Sequence, residues 1–150
     1  MPSDLAAFRH THETRVRSFH VDFQNIVHNV WYFFIFEEAR VEFIRSLGMS
    51  MEPENFVTDP LFYIARNSCD YFASARFDDP LRIYSRVEFV RNSSAGFEQV
   101  MMNLRSGELV ACATQVIVHV DKSTGRPGRI PDDVRAKILS HEGENVTFGE

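Results

Sequence analysis

The sequence predicts an α+β domain in which an antiparallel five-stranded sheet wraps one long central helix. Three observations carry this reading. A helix-periodic segment, residues 29–47, is apolar on nearly every side in its first two turns. Four strand-like runs follow between residues 62 and 120, separated by short turns rich in Ser, Asp and Gly. One further alternating run precedes the helix.

Residues 1–12 are polar, include His10 and His12, and are expected to form a flexible arm. Arg15, Arg17, Phe19 and Val21 then alternate with Val16, Ser18, His20 and Asp22, the pattern of a first strand. Residues 30–36 alone would also suit a buried strand, but their continuation through Gly48 decides for helix. Phe36, Ala39, Phe43 and Leu47 share a face, and Glu37/Arg40 and Glu42/Arg45 are i,i+3 pairs. Gly48 is a suitable residue to end the helix. Its aromatic first turns predict enclosure by other structure.

Residues 62–75 form the next strand, ending in the turn Asp78-Asp79-Pro80. Residues 82–91 alternate, with Ile83, Val87 and Phe89 on one face, and residues 93–96 turn the chain into a strand at 97–104. Residues 105–108 read as a hairpin turn into 109–120, whose near-continuous apolar character predicts a strand covered on both faces. A polar loop at 122–129 leads to a short terminal helix at 131–139 with Pro131 at its start. With no repeats and no linker, residues 1–150 form one domain, its four later strands in a meander.

Composition narrows function. The 150 residues suffice for one well-buried core, and 44% hydrophobic with 25% charged residues is globular. A formal net charge of -5 argues against a nucleic-acid partner. The longest apolar run, residues 30–36, is far below the roughly 20 residues of a membrane span, and the first residues lack a leader pattern. Cys69 and Cys112 have no CxxC spacing and read as free thiols, so a cytoplasmic location is expected. His10-x-His12 has no evident third ligand, so no metal is expected. Cys69 has no His tied to it by spacing, and Gly-x-Ser-x-Gly is absent.

The junction before the helix carries the most specific pattern. It reads His20-Val21-Asp22-Phe23-Gln24-Asn25-Ile26-Val27-His28-Asn29-Val30-Trp31-Tyr32, then Phe36-Glu37-Glu38-Ala39-Arg40. With Tyr71, Phe77-x-Asp79-x-Leu81, Ser93-Ser94 before Phe97, Ser106-Gly107-Glu108 and Gly125-Arg126-Pro127, it resembles the hotdog-fold acyl-CoA thioesterases of the 4-hydroxybenzoyl-CoA thioesterase type. The resemblance runs from about Val16 to Leu139. It implies the hotdog fold and hydrolysis of an acyl-CoA to a carboxylic acid and free coenzyme A, which is part of the substrate. No separate cofactor is implied. A homodimer or homotetramer is, because a sheet around one helix leaves edges that relatives close by pairing.

By the same resemblance Asp22 is the catalytic carboxylate, as general base or nucleophile, and the backbone N–H of Asn29 is the oxyanion donor. Physically, a carboxylate near a helix N-terminus stays ionised, and the first N–H groups of a helix, those of Asn29 and Val30, lack intrahelical partners and can stabilise an oxyanion. The Asn29 side chain is a candidate helix cap. Tyr32 and Arg40 match family positions, and packing or an ion pair would also explain them. Arg91, Asn92 and Ser93 lie where relatives hold coenzyme A phosphates, with Arg91 or Ser93 reaching a neighbouring chain's Asp22. Two positions depart from the pattern: His20 replaces the first Asp, and Asn25 replaces Gly. Asn tolerates positive φ, so the turn is expected to survive, with Asn25 acting on acyl choice. The alternatives are a non-catalytic acyl-CoA-binding module and a hotdog hydratase/dehydratase, whose Asp-x-Asn-Pro-x-His spacing is not matched.

Overall fold

The central helix, α1 (Asn29–Ser46), anchors the core because its inward stripe is apolar. Tyr32, Ile35, Phe36, Ala39 and Phe43 are buried along it. Burial of each large side chain contributes roughly 1.5–3 kcal/mol, which holds a helix that its aromatic residues would disfavour in isolation. Gly48 follows at φ +79°, the left-handed conformation that ends helices. The computed structural model describes residues 4–52, 54 and 62–150.

The sheet contains β1 (His10–Arg15), β2 (Phe62–Tyr71), β3 (Pro80–Val90), β4 (Ser94–Asn103) and β5 (Leu109–Asp121). Their order is β1-β3-β4-β5-β2, antiparallel throughout. Two-residue strands extend it: β6 (Arg126–Pro127) on β5, and β7 (Thr147–Phe148) parallel to β3. A second helix, α2 (Asp132–Glu142), packs Val134 and Ile138 beside Phe43, Val87 and Phe97. Beneath α1, the Gln99 side-chain amide donates to the Phe36 carbonyl and to Ser85 Oγ, both at 2.9 Å. One polar stitch thus ties helix to sheet within an apolar interior.

Several expectations are corrected. The first strand lies earlier than residues 15–21, and its first residues fall in the segment expected to be a flexible arm. His10, His12 and Thr14 point inward, with the His10 ring 5.5 Å from Phe43 and His12 Nε2 2.9 Å from Glu38 Oε1. Residues 18–20 instead form a 3-10 turn, because His20 Nδ1 accepts the Arg17 N–H at 2.9 Å and draws the chain out of extension. The later strands are not a simple meander: β2 pairs with β5, and residues 72–79 cross the start of α1 to reach β3.

Enclosure of α1 is also one-sided. Val30 and Phe34 are 44% and 54% exposed, because the sheet covers only one face of the helix. Likewise β5 is buried on its inner face at Ala111, Ala113 and Gln115, whereas Thr114 on the other face is exposed. Near the β3–β4 turn the two strands pack closely: a Cβ at Gly96 would lie 2.2 Å from the Phe89 ring, so any larger residue there must displace that ring.

Candidate active site

The segment entering α1 is a small closed loop. Val21 and Val27 form an antiparallel bridge, and the His28 N–H donates to the His20 carbonyl at 2.9 Å. Between them, the Asp22 N–H donates to the Ile26 carbonyl and the Asn25 N–H to the Asp22 carbonyl, both at 3.0 Å. Asn25 takes φ +57°, the left-handed conformation expected where the family pattern has Gly. Asp22 Oδ1 accepts the Gln24 N–H at 2.8 Å and the Ile26 N–H at 3.5 Å. One carboxylate oxygen therefore builds the turn, and the other, Oδ2, has no protein partner among the described residues.

The helix start is capped by His28, not by the Asn29 side chain. His28 Nδ1 accepts the Val30 N–H at 3.3 Å, and the His28 carbonyl accepts the Trp31 N–H at 2.9 Å. The Val30 N–H, expected to be free, is thus engaged. That of Asn29 has no partner among the described residues, which leaves it as the donor at the positive end of the helix dipole.

The crossing segment after β2 supplies the opposite wall. Tyr71 donates its hydroxyl to the Asn29 carbonyl at 3.1 Å, and the Tyr32 hydroxyl accepts the Ala75 N–H at 3.4 Å. The Tyr32 and Tyr71 rings meet edge to face at 5.1 Å. Burial, then the neighbouring Cys69, pushes the Tyr71 phenol up to about 12, so it stays protonated. Burial likewise raises the Tyr32 phenol and the Cys69 thiol, which leaves Cys69 a poor nucleophile. Asp22, His28, Asn29, Tyr32, Tyr71 and Ser74 line one cavity of about 510 Å³.

Asp22, Asn29 and Tyr32 are therefore brought together. Asn25 is exposed at the loop tip and is not among the residues lining the cavity. Arg91, Asn92 and Ser93 lie at the far end of the sheet, where the Ser93 carbonyl accepts the His119 N–H at 2.8 Å. The Arg91 guanidinium lies over Phe89, 4.9 Å from the ring centre. Arg40 is buried on α1 with a 3.9 Å ion pair to Glu37. The sequence marks neither Tyr71 nor Ser74 as a site residue beyond the family match at Tyr71, and the pairing of β2 with β5 carries both to the helix start. His28 carried no signal beyond its place one residue before the helix.

This loop, helix start and curled sheet define a hotdog thioesterase. The model of the thioesterase-like superfamily matches residues 16–138, and the chain belongs to that family. It is 28% identical over 115 residues to the acyl-CoA thioesterase YbgC of Haemophilus influenzae, covering 77% of this chain and 83% of that one. A putative esterase of Aquifex aeolicus is 30% identical over 122 residues, covering 80% and 90%. Among solved structures, a thioesterase of Thermus thermophilus complexed with coenzyme A and Zn superposes with a TM-score of 0.79 at 24% identity, covering 92% of this chain and 97% of that one.

Proposed function

We propose that this thioester hydrolase cleaves an acyl-CoA through Asp22 and the Asn29 N–H. The observation that carries the assignment is that an unpartnered carboxylate oxygen and an unpartnered helix N-terminal N–H belong to residues lining one cavity. As the carbonyl carbon is attacked, negative charge develops on its oxygen, and a fixed N–H at the helix start stabilises it. Asp22 Oδ2 acts as a base on water or attacks directly. Tyr71 holds the Asn29 carbonyl, and with it the first residue of the helix, from the opposite wall. No cofactor takes part, and coenzyme A enters only as part of the substrate.

The assembly is a homodimer or homotetramer in the cytoplasm. Supporting it, β1 and β2 are open sheet edges, and Phe34, Ile64 and Phe72 are exposed near β2 and the bare face of α1. Pairing would bring Arg91 and Ser93 of one chain toward Asp22 of another, where they recognise coenzyme A phosphates. No helix of the described residues is long and apolar enough to cross a membrane.

A panel of acyl-CoA esters with a free-thiol readout tests the activity. Thiol release by the wild-type protein and its loss in Asp22→Asn support the reading. Binding without thiol release for every ester identifies a non-catalytic acyl-CoA-binding module instead. Sedimentation showing a fully active monomer overturns the shared site.

A further inference from the structure

A second cavity, of about 550 Å³, lies at the other end of α1 and shares no lining residue with the first. Phe43, Leu47, Phe62, Phe97, Ile117 and Ile138 give it apolar walls, contributed by α1, the sheet and α2. Its size and lining suit a small organic ligand. Arg40, which lies eleven residues beyond Asn29 and so about 16 Å along the helix, is on the same wall.

Arg40 is the anomaly in this cavity. It is 8% exposed, yet its one ion pair is the 3.9 Å contact to Glu37, whose side chain is 59% exposed. Among the described residues its guanidinium has no hydrogen-bond partner. Its nitrogens are not sealed from solvent, so five donors with one distant, solvated partner are open to an acceptor that enters the cavity. Burial lowers its affinity for the proton, with Glu37 only partly opposing this. The group whose geometry matches a guanidinium fork is a carboxylate.

We propose that this cavity binds a free carboxylate with an apolar tail, its head on Arg40 and its tail between Phe97, Ile117 and Ile138. The occupant is of the class that thioester hydrolysis releases, but the site does not require that chemistry. It is a separate site at the opposite end of the same helix. Occupancy there would stiffen the C-terminal half of α1.

Isothermal titration of the purified full chain with sodium decanoate, kept below its micelle concentration, tests this. Saturable binding of one decanoate per chain is expected, weakened at least tenfold in Arg40→Met and abolished in Ala95→Phe, which places a ring in the cavity. Asp22→Asn should bind as the wild type does. On the wild-type protein alone, decanol should bind at least tenfold more weakly than decanoate, a comparison independent of any variant's folding. No saturable binding, equal affinity for decanol and decanoate, or loss of binding in Asp22→Asn would each overturn the site. An active thioesterase that fails these tests leaves the Asp22 assignment standing, and an inactive protein that passes them leaves this one.

Discussion

The Tyr71 hydroxyl donates to the carbonyl of Asn29 across 3.1 Å, joining the last residue of an edge strand to the first residue of the central helix. The Asn29–Val30 peptide is thereby held from outside the helix, and the Asn29 Cα, which carries the preceding N–H, is steadied with it. Tyr71→Phe removes that hold without removing the ring. The expected result is a roughly tenfold fall in kcat, about 1.4 kcal/mol of barrier, with KM little changed. Steady-state thiol release measures both, and an unaltered kcat would show that Asn29 is positioned without it.

Asp22→Asn should lower turnover by at least ~100-fold, the scale of losing a general base. Asn keeps an amide oxygen able to accept the Gln24 N–H, so the turn survives and the melting temperature should barely move. Retained activity would remove Asp22 from the mechanism.

Asn25 separates conformation from contact. Its left-handed backbone costs a residue with a Cβ and no local polar group about 1–2 kcal/mol, so Asn25→Ala should lower Tm by several degrees, at about 2–4 °C per kcal/mol. Asn25→Gly should fold at least as well as the wild type. If Asn25 acts on acyl choice, Asn25→Gly also widens the range of esters cleaved while the best substrate stays within roughly tenfold of its rate. An unchanged ranking of esters would make Asn25 a turn residue alone.

His28→Ala removes the acceptor for the Val30 N–H. Loss of a helix cap costs about 0.5–2 kcal/mol, read as a lower midpoint in urea, and His28→Asn should restore most of it. Equal midpoints in all three proteins would assign the cap to another group.

The helix and the pair at its start were legible because both are local. Periodicity marked α1, and the family pattern running from Asp22 to Asn29 marked the loop. What stayed hidden depends on partners distant in sequence. β1 could not be seen as a strand because His10, His12 and Thr14 face the interior, where the His10 ring packs on Phe43 and His12 meets Glu38, contacts that hydropathy does not register. The pairing of β2 with β5 was equally illegible, since alternation says which residues face inward and nothing about which strand lies alongside. Tyr71 and Ser74 reach the helix start only through that pairing.

Glu142 provides a pH test. It is fully buried; Oε1 accepts the Val87 N–H at 2.8 Å and Oε2 has no partner among the described residues. Burial raises its carboxyl above the usual range, against the opposing pull of the Val87 N–H, Arg86 and Arg9. A raised folded-state value means that the fold favours the protonated form. Its contribution is therefore complete below the unfolded value and is lost as pH rises through the folded one. Glu142→Gln keeps an acceptor and removes the charge. The variant should melt above the wild type at pH 8, with the gap closing toward pH 4. A gap that widens on acidification would reverse the assignment.

The bridge between Val21 and Val27 has an evolutionary consequence. It closes the Asp22 loop at its neck, so Phe23, Gln24 and Asn25 project from a stem that the helix and sheet already hold. Phe23, 95% exposed, packs against almost nothing. Phe23 and Gln24 can change without taxing the core, and Asn25 can do so for residues that accept positive φ, whereas a change at either valine would disturb the stem that carries Asp22. The tip beside Asp22 can therefore vary over generations while the Val21–Val27 neck keeps the loop closed.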